Sequence, residues 1–302
     1  MSERGDIRIG VSGWTYPPWR GHFYPEGLPQ KRELAYAAAS FNALEINGTF
    51  YGLQTPASFM RWRDAVPDGF VFAIKGSRYI THMRRLNAFE TPLANFFASG
   101  VLALGSRLGP ILWQFPPSFA FDAERLEPFL EALPKTTREA ARLGRKHDGR
   151  LRARAYLRAG DDRPVRHAVE IRHDSFRDEH FVELLRRYGV ALVCADTVEW
   201  PRLMDLTADF AYCRLHGATE LYRSGYSGRA LDGWAKRAEA WATGRTMRDG
   251  DFVTRARADR RRRDVFVFFD NTDKRRAPAD AKGLMRRLSV APPGKSASIA
   301  RN

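Results

Sequence analysis

The chain alternates short apolar runs with longer stretches of helical periodicity. The runs are about strand length and rich in β-branched and aromatic residues, which is typical of buried strands. Helical patterns lie between most of them, although TVEWPRLMDLTAD, between the sixth and seventh runs, is only weakly helical. We count eight runs, which occupy residues 6–14, 43–51, 70–77, 110–116, 167–173, 190–196, 210–217 and 264–271.

This order of elements predicts an α/β fold. Strands that alternate with helices indicate a parallel sheet, and eight such units without a second core predict a closed (β/α)8 barrel of the TIM type. We expect a single barrel domain over residues 1–290. An open doubly wound sheet is the alternative, but the G-x-G-x-x-G turn that often accompanies it is absent after the first run.

Polar residues collect near the C-terminal ends of the predicted strands. Because side chains alternate along a strand, Glu45 and Asn47 share a face while Ile46 packs on the other side. A charge inside a barrel is costly unless it is paired, and barrel enzymes keep their sites at this end. The pattern therefore predicts a polar site at the mouth, built from Glu45, Asn47, Lys75, Gln114, Glu170, Arg172, Asp196, Arg214, His216, Asp270 and Asn271.

The same residues are also consistent with a purely structural role. In that interpretation they form ion pairs that close the lumen, and the expected pairs are Glu45 with Lys75, Glu170 with Arg172 and Asp196 with Arg214. A paired layer can also support a reactive layer above it. The sequence leaves both interpretations open.

Composition adds an excess of positive charge. The net charge is +15 and the isoelectric point is about 10.2, which favours anionic partners, although Arg-rich surfaces also follow from genomic composition. Two Arg-rich segments stand out, an insertion at 135–166 before the fifth strand and a run at 255–264. Both precede a strand, so we expect them on the N-terminal face, away from the site. The tail at 291–302 is predicted to be disordered.

Other bulk features concern the cellular compartment. Cys194 and Cys213 are the two cysteines and lie in apolar runs without C-x-x-C spacing, which fits a reducing cytoplasm. The N-terminus lacks a signal-peptide pattern, and no run of 18 apolar residues occurs, so we expect no membrane span. The oligomeric state is not indicated.

Several long motifs resemble the YecE-like family, known as domain of unknown function 72. The likeness runs from Ile7 to about Leu288, and it implies a TIM-type barrel without implying a reaction, since the family has no established activity. The chain departs from the pattern at Phe176, where Trp is more typical, and in its longer Arg-rich insertion. The motifs are VSGWTYPPWRGHFYP (11–25), LEINGTFYGLQTP (44–56), FAIKGSRYITHMRRL (72–86), LWQFPPSF (112–119), VEIRHDSF (169–176), CRLHG (213–217) and FFDNTDKRRAPADAKGL (268–284).

The resemblance also implies a shared polar set, which includes His82 and His173. From this set we assign candidate catalytic roles to Glu45, Lys75, Glu170 and His216, the glutamates as acid or base and the histidine as a proton shuttle near neutral pH. Candidate substrate-binding residues are Trp14, Asn47, Tyr51, Gln114, Arg172, Arg214, Tyr226 and Asn271.

The leading functional hypothesis is an enzyme that acts on an anionic small molecule carrying phosphate or carboxylate. Glycines after the seventh strand, together with Thr272 and Lys274, suit a phosphate site. A Schiff-base role for Lys75 needs a lowered pKa, and a nearby Glu45 would raise it instead. Glu45, Glu170, Asp196, His216 and Asp270 are of metal-ligand type, but interleaved Lys and Arg disfavour a divalent metal, so no cofactor is predicted.

Two other classes of function are retained. The basic segments and aromatic residues assumed to be exposed, Trp14, Tyr16, Trp19 and Tyr226, suit a nucleic-acid-binding or phosphodiester-cleaving protein. A non-catalytic scaffold barrel is the third class, and it predicts a mouth sealed by ion pairs with no pocket.

Overall fold

The structure, a computed structural model, describes residues 4–151, 154–217, 224–245, 247, 249–254, 260–271 and 275–294. Within these ranges eight parallel strands form the sheet, as the apolar runs predicted. They are β1 Ile7–Val11, β2 Ala43–Ile46, β3 Val71–Lys75, β4 Leu108–Gln114, β5 His167–Glu170, β6 Ala191–Asp196, β7 Phe210–Leu215 and β8 Asp264–Phe269. Their spatial order is β1-β8-β7-β6-β5-β4-β3-β2, which confirms the (β/α)8 prediction.

Helices flank the sheet, as expected for a barrel. The α-helices are α1 Glu33–Ala38, α2 Gly48–Tyr51, α3 Pro56–Asp64, α4 Glu90–Ala98, α5 Ala123–Ala132, α6 Thr137–Gly144, α7 Glu179–Tyr188, α8 Gly228–Ala242 and α9 Ala277–Arg287. The helical pattern after the third apolar run, TPLANFFASGVLALGSRLG (91–109), does not form one continuous helix, because it is interrupted at Gly100, which has a φ of 124°. A Cβ there would lie 2.7 Å from the Pro56 backbone, so the close approach of α3 requires glycine.

The barrel closes between β1 and β2. Gly13 N donates to Glu45 O at 2.8 Å, and a Cβ on Gly10 would meet Ala43 O at 1.9 Å, so glycine allows the two strands to approach. The Asn42 side chain bridges them, since its Oδ1 accepts from Ile9 N at 2.6 Å and its Nδ2 donates to Ile7 O at 2.8 Å. A side-chain amide thus supplies bonds that a regular ladder would otherwise make.

The interior of the barrel is apolar toward the N-terminal ends of the strands and charged toward their C-terminal ends, at the mouth. A separate core cluster fills the lower interior with small and aromatic side chains, among them Ala43, Ala73, Ala168, Phe266 and Phe268. The larger core cluster lies between the strands and the helices. Alternation along each strand therefore places the next inward residues, such as Glu45 and Glu170, at the mouth.

No helix in the described part of the chain has the length and apolar character to cross a membrane. Of the predicted disordered tail, residues 295–302 lie outside the described residues.

Candidate functional site at the barrel mouth

Arg214 on β7 is the centre of a buried charged cluster. Its Nη1 donates to Glu170 Oε2 at 2.7 Å, its Nη2 to Glu45 Oε1 at 2.9 Å and to Asp270 Oδ2 at 2.7 Å, and its Nε to Glu45 Oε2 at 3.1 Å. The side chains of Arg214, Glu45 and Glu170 are 0% exposed. One guanidinium therefore joins carboxylates from three parts of the barrel, and its planar shape suits this role.

The two glutamates have further partners that complete their hydrogen bonding. Tyr212 donates its hydroxyl to Glu45 Oε2 at 2.7 Å. Gln114 Nε2 and Arg172 Nε donate to Glu170 Oε1 at 2.7 and 2.9 Å. Burial acts to raise the pKa of Glu170, but the positive charges of Arg214 and Arg172 outweigh it and hold the pKa well below its ordinary value.

This arrangement differs from the acid or base role expected for Glu45 and Glu170. Every carboxylate oxygen of the pair already accepts a hydrogen bond, and neither residue lines the cavity above them. The geometry places these carboxylates to position Arg214. Of the expected structural ion pairs, Glu170 with Arg172 is present at 2.9 Å, whereas Glu45 pairs with Arg214 rather than with Lys75.

A cavity of about 700 Å³ lies directly above this cluster. Six of the predicted site residues line it, namely Asn47, Tyr51, Lys75, Gln114, Arg172 and Asp270. Sequence reasoning did not assign Arg78 to the site, and it included His82 only in the polar set implied by the family resemblance; both line the cavity. They belong to the loop after β3, where a π-helical turn spans Tyr79–Met83.

Lys75 at the end of β3 is a buried cation of the cavity, and it forms no ion pair with the carboxylates of the cluster among the described residues. Its side chain is buried, and its Nζ lies 4.2 Å from the centre of the Phe50 ring. Burial and the charge of Arg214 lower its pKa to about 8, although Glu170, Glu45 and Asp270 oppose this. Glu45 does act to raise the pKa of Lys75, but burial and the charge of Arg214 outweigh it, so the expected net rise does not occur.

His216 follows Arg214 on the inward face but does not behave as a neutral-pH shuttle. It is fully buried, and burial followed by the charge of Arg214 lowers its pKa to about 3. Its Nδ1 lies 3.5 Å from Asp270 Oδ2, and Trp200 packs against the ring at 5.7 Å. The imidazole is thus neutral at physiological pH.

Trp200 is a site residue that sequence reasoning missed. The Arg172 guanidinium lies 4.2 Å from the centre of its ring, which holds Arg172 by a cation–π contact. Trp200 lies in residues 197–209, between β6 and β7, where the structure has no helix or strand among these described residues. The weakly helical pattern of this stretch was the signal in the sequence that could have indicated an irregular segment here.

Tyr226 and Asn271 lie beside the mouth without lining the cavity. The Tyr226 hydroxyl accepts from Gly217 N at 3.2 Å, and Asn271 Nδ2 donates to Asp280 Oδ2 at 2.9 Å. Tyr226 N donates to the same Asp280 oxygen at 3.1 Å. These contacts tie the ends of two loops to α9. Residues 218–223 and 272–274 of the predicted phosphate site, including Thr272 and Lys274, lie outside the described residues.

The aromatic residues of the first loop point away from the cavity. Trp14 packs against Trp62 and Phe72, with ring centres 5.8 and 6.3 Å apart, and Trp19 is 0% exposed. Trp14, predicted to bind substrate, therefore does not line the cavity, because its ring packs against Trp62 on α3. The expectation that Trp19 and Tyr226 would be exposed for base stacking is also wrong.

The residues of metal-ligand type do not form a metal centre within the described part of the chain, where no group of three or more His, Cys, Asp or Glu is arranged to hold an ion. Asp196 faces outward, where it accepts from Arg202 at 3.0 Å and from Trp234 at 3.2 Å. The expected pairing of Asp196 with Arg214 is consequently wrong. Arg214 occupies the centre of the remaining carboxylates.

The Arg-rich insertion reaches both faces of the barrel. Arg166 pairs with Asp264 at 2.6 Å, at the start of β8, on the N-terminal face as predicted. Arg150 instead lies 5.5 Å from the Tyr79 ring, in the loop after β3 at the mouth. The prediction that the whole insertion lies far from the site is thus wrong, since Asp148 anchors this part to Asn95 on α4. Residues 152–153 and 255–259 lie outside the described residues.

These features define a TIM-type barrel protein with a cation-lined cavity above a buried ion cluster at its C-terminal mouth. The chain belongs to the family described as "Protein of unknown function DUF72", whose model matches residues 8–300. The family resemblance noted in the motifs is confirmed.

Curated relatives include the UPF0759 protein YecE of Escherichia coli K12, which is 31% identical over 129 residues. The UPF0759 protein YunF of Bacillus subtilis is 26% identical over 124 residues. These stretches cover 42% and 37% of this chain, and 44% and 41% of the relatives. The chain therefore spans less than half the length of the curated relatives it matches.

Solved structures support the fold over a greater length. A DUF72 family protein of Thermotoga maritima superposes with a TM-score of 0.68 and 26% identity, covering 94% of this chain and 99% of that one. A DUF72 family protein of Enterococcus faecalis gives 0.66 at 16% identity, covering 96% and 100%. The second likeness bears on the fold alone.

Proposed function

We propose that this protein is an enzyme that acts on a small molecule bearing a phosphate or carboxylate group. The cavity at the C-terminal mouth would bind this substrate. The observation that carries the proposal is the imbalance of charge in the cavity wall. Lys75, Arg78 and Arg172 line it as cations, and Asp270 is its one carboxylate among the described residues, already bound to Arg214 at 2.7 Å.

The three cations suit an anion in different ways. Arg78 is exposed at the rim and lies 5.5 Å from the Tyr51 ring. Arg172 is held from two sides by Glu170 and Trp200, so its geometry is fixed before a ligand arrives. Preorganised charge of this kind reduces the entropy lost on binding. A cavity of about 700 Å³ is of metabolite size.

The cavity also separates this proposal from a scaffold function. A scaffold barrel predicts a mouth sealed by ion pairs. Here the ion pairs of Arg214 seal the lumen below, while the space above them stays open. Burial of Trp19 and Tyr226 removes two stacking partners from the nucleic-acid alternative, so we place that function second. A cytoplasmic location, which the cysteine content favours, fits a metabolite substrate.

The test is a thermal-shift panel of sugar phosphates and hydroxy acids at constant ionic strength, with uncharged sugars as the reference. A ligand at about 100 times its dissociation constant adds about 2.7 kcal/mol. Each kcal/mol shifts the melting temperature by about 2–4 °C in a domain of a few hundred residues. Anions should therefore produce shifts that the uncharged sugars do not.

Arg78→Met should reduce the shift, because the variant removes one cation from the rim. Arg138→Met is the matched control, since Arg138 has a side chain that is 70% exposed and lies outside the cavity. An otherwise folded protein that no anion stabilises would count against the proposal, as would equal loss of the shift in both variants.

A further inference from the structure

The ammonium group of Lys75 occupies an unusual position for a buried charge. Within the described chain no carboxylate lies within 4.0 Å of its Nζ, and no hydrogen-bond acceptor is paired with it; its close contact is the Phe50 ring, 4.2 Å away. A buried cation ordinarily has an anionic partner. Here the carboxylates below are bound to Arg214.

The backbone around Lys75 is held in place. Thr49 Oγ1 donates to Lys75 O at 2.6 Å and links α2 to the end of β3. This contact fixes both Lys75 and the α2 ring that packs on its amine. The residue is 9% exposed, and it lines the cavity. A molecule in the cavity can therefore reach a rigidly placed amine.

The environment also changes the protonation of the amine. With a pKa of about 8, about one Lys75 in ten is neutral at pH 7, against about one in 2,500 at the ordinary value of about 10.4. Desolvation next to another cation is a recognised means of activating a lysine nucleophile. Arg214, Arg172 and His82 face Lys75 as basic groups, whereas Glu45, Glu170 and Asp270 face it as acids.

We propose that Lys75 is a catalytic amine that forms a Schiff base with an aldehyde or ketone bearing a carboxylate or phosphate. The proposal rests on the function proposed above and names the substrate class of the same cavity. Arg78 and Arg172 would hold the acidic group, and the carbonyl carbon would face Nζ. Asn47 Oδ1 is buried without a partner among the described residues, and it would accept a hydrogen bond from a substrate hydroxyl.

The step balances without a further reactant. The Nζ lone pair of the neutral amine attacks the carbonyl carbon, a C–N bond forms as the C=O π bond opens, and one proton passes from the nitrogen to that oxygen to give a neutral carbinolamine. A proton from solvent then converts the hydroxyl into water, whose C–O bond breaks as the nitrogen lone pair forms the C=N bond of the iminium ion. The iminium withdraws electrons from the neighbouring carbon, as in other lysine–carbonyl intermediates. This chemistry points to proton transfer or carbon–carbon bond cleavage next to the carbonyl.

The experiment is reductive trapping on the whole protein. The protein is incubated at pH 7 with pyruvate or with dihydroxyacetone phosphate and then treated with sodium borohydride, which delivers hydride to the iminium carbon and leaves a stable secondary amine. Intact mass spectrometry should show one adduct, and peptide mapping should place it on Lys75. The two probes distinguish a carboxylate from a phosphate substrate. Acetone, which lacks an acidic group, should label at least tenfold more slowly.

Two variants define the site. Lys75→Met should abolish the adduct, and Lys236→Met is the matched control because Lys236 is exposed on α8, outside the cavity. Mapping on the unaltered chain keeps the result independent of how well Lys75→Met folds. The adduct yield should also rise between pH 7 and pH 8, before exposed lysines react. Labelling spread over surface lysines, or no adduct at Lys75 with either probe, would overturn the proposal.

Lactate separates the failure of this proposal from failure of the broader function. It has the carboxylate of pyruvate without the carbonyl group. Stabilisation by lactate or a sugar phosphate without trapping at Lys75 would refute the Schiff base and leave the anion-binding enzyme intact. Absence of both binding and trapping would refute the two together.

Discussion

Removing Arg214 tests the buried cluster most directly. We expect Arg214→Met to keep most of the side-chain volume while taking away the partner of Glu45, Glu170 and Asp270. Glu170 would retain Gln114 and Arg172. Glu45 would retain its bond to Tyr212 and lose all of its charge compensation from Arg214.

The expected cost follows from this loss of compensation. Removing one partner of a buried ion pair costs about 3–5 kcal/mol, so Arg214→Met should lower the free energy of unfolding by about that amount at pH 7. Adding Glu45→Gln removes the buried carboxylate that is left with the least charge compensation, and it should recover about 1–3 kcal/mol. Arg187, whose side chain is 60% exposed, pairs with Glu127 at 2.7 Å, and Arg187→Met should cost about 1 kcal/mol or less.

Acid should reduce the difference in unfolding free energy between the unaltered chain and Arg214→Met. In the native cluster the pKa of Glu170 lies well below its ordinary value, so the carboxylate stabilises the fold above the pKa of the unfolded chain and loses this effect as pH falls through the folded value. Without Arg214, burial raises the carboxylate pKa instead. Glu170 of the variant then takes up a proton at a higher pH than in the unaltered chain, so Arg214→Met should lose less stability than the unaltered chain between pH 7 and pH 5.

The assay is urea unfolding at pH 7 and pH 5, monitored by circular dichroism. It compares the unaltered chain, Arg214→Met, the double variant with Glu45→Gln, and Arg187→Met. If Arg214→Met costs no more than Arg187→Met, the cluster is not held by its central guanidinium. A Glu45→Gln change that further destabilises the Arg214→Met protein would equally refute the reasoning.

Three further predictions concern the fold. Urea midpoints of the unaltered chain should fall as pH drops from about 6.5, since unfolded histidines then take up protons, while His167 and His216 keep pKa values of about 4 and about 3; a flat profile down to pH 4.5 would contradict the neutral, buried rings. Asn42→Ala should cost about 1–3 kcal/mol for each of the two β1 backbone groups it leaves unpaired, and unchanged urea unfolding would show that its bridge does not close the barrel. Asp178→Ala removes a carboxylate that accepts from two amides at the start of α7 and should lower the unfolding free energy by about 0.5–2 kcal/mol, whereas a stabilised variant would exclude the capping role.

The hydrophobic pattern was sufficient for the barrel and for the direction of its inward residues. Alternation is a local property of a strand, so Glu45, Glu170 and Arg214 could be placed on the inner face from their spacing alone. Gly100 shows where this reasoning stops. A helical pattern continued through it, but its backbone is set by contact with Pro56, which lies far away in the chain.

The partners within the ion cluster, unlike the direction of inward residues, could not be predicted from local spacing. Sequence spacing placed several cations and anions at one rim and could not assign partners among them, because these partners come from different strands. Arg214 takes three carboxylates through the reach and planarity of its side chain. Lys75 is thereby left with the Phe50 ring, and its pKa falls instead of rising.

The sequence by itself determined the eight strands, their flanking helices and the end of the barrel at which polar groups gather, since these depend on periodicities of a few residues. Tertiary structure alone decided that Trp14 turns outward, that Trp200 supports Arg172, and that Arg150 reaches the mouth. Such contacts join segments distant in the chain, and burial and neighbouring charge then set the chemistry of each group.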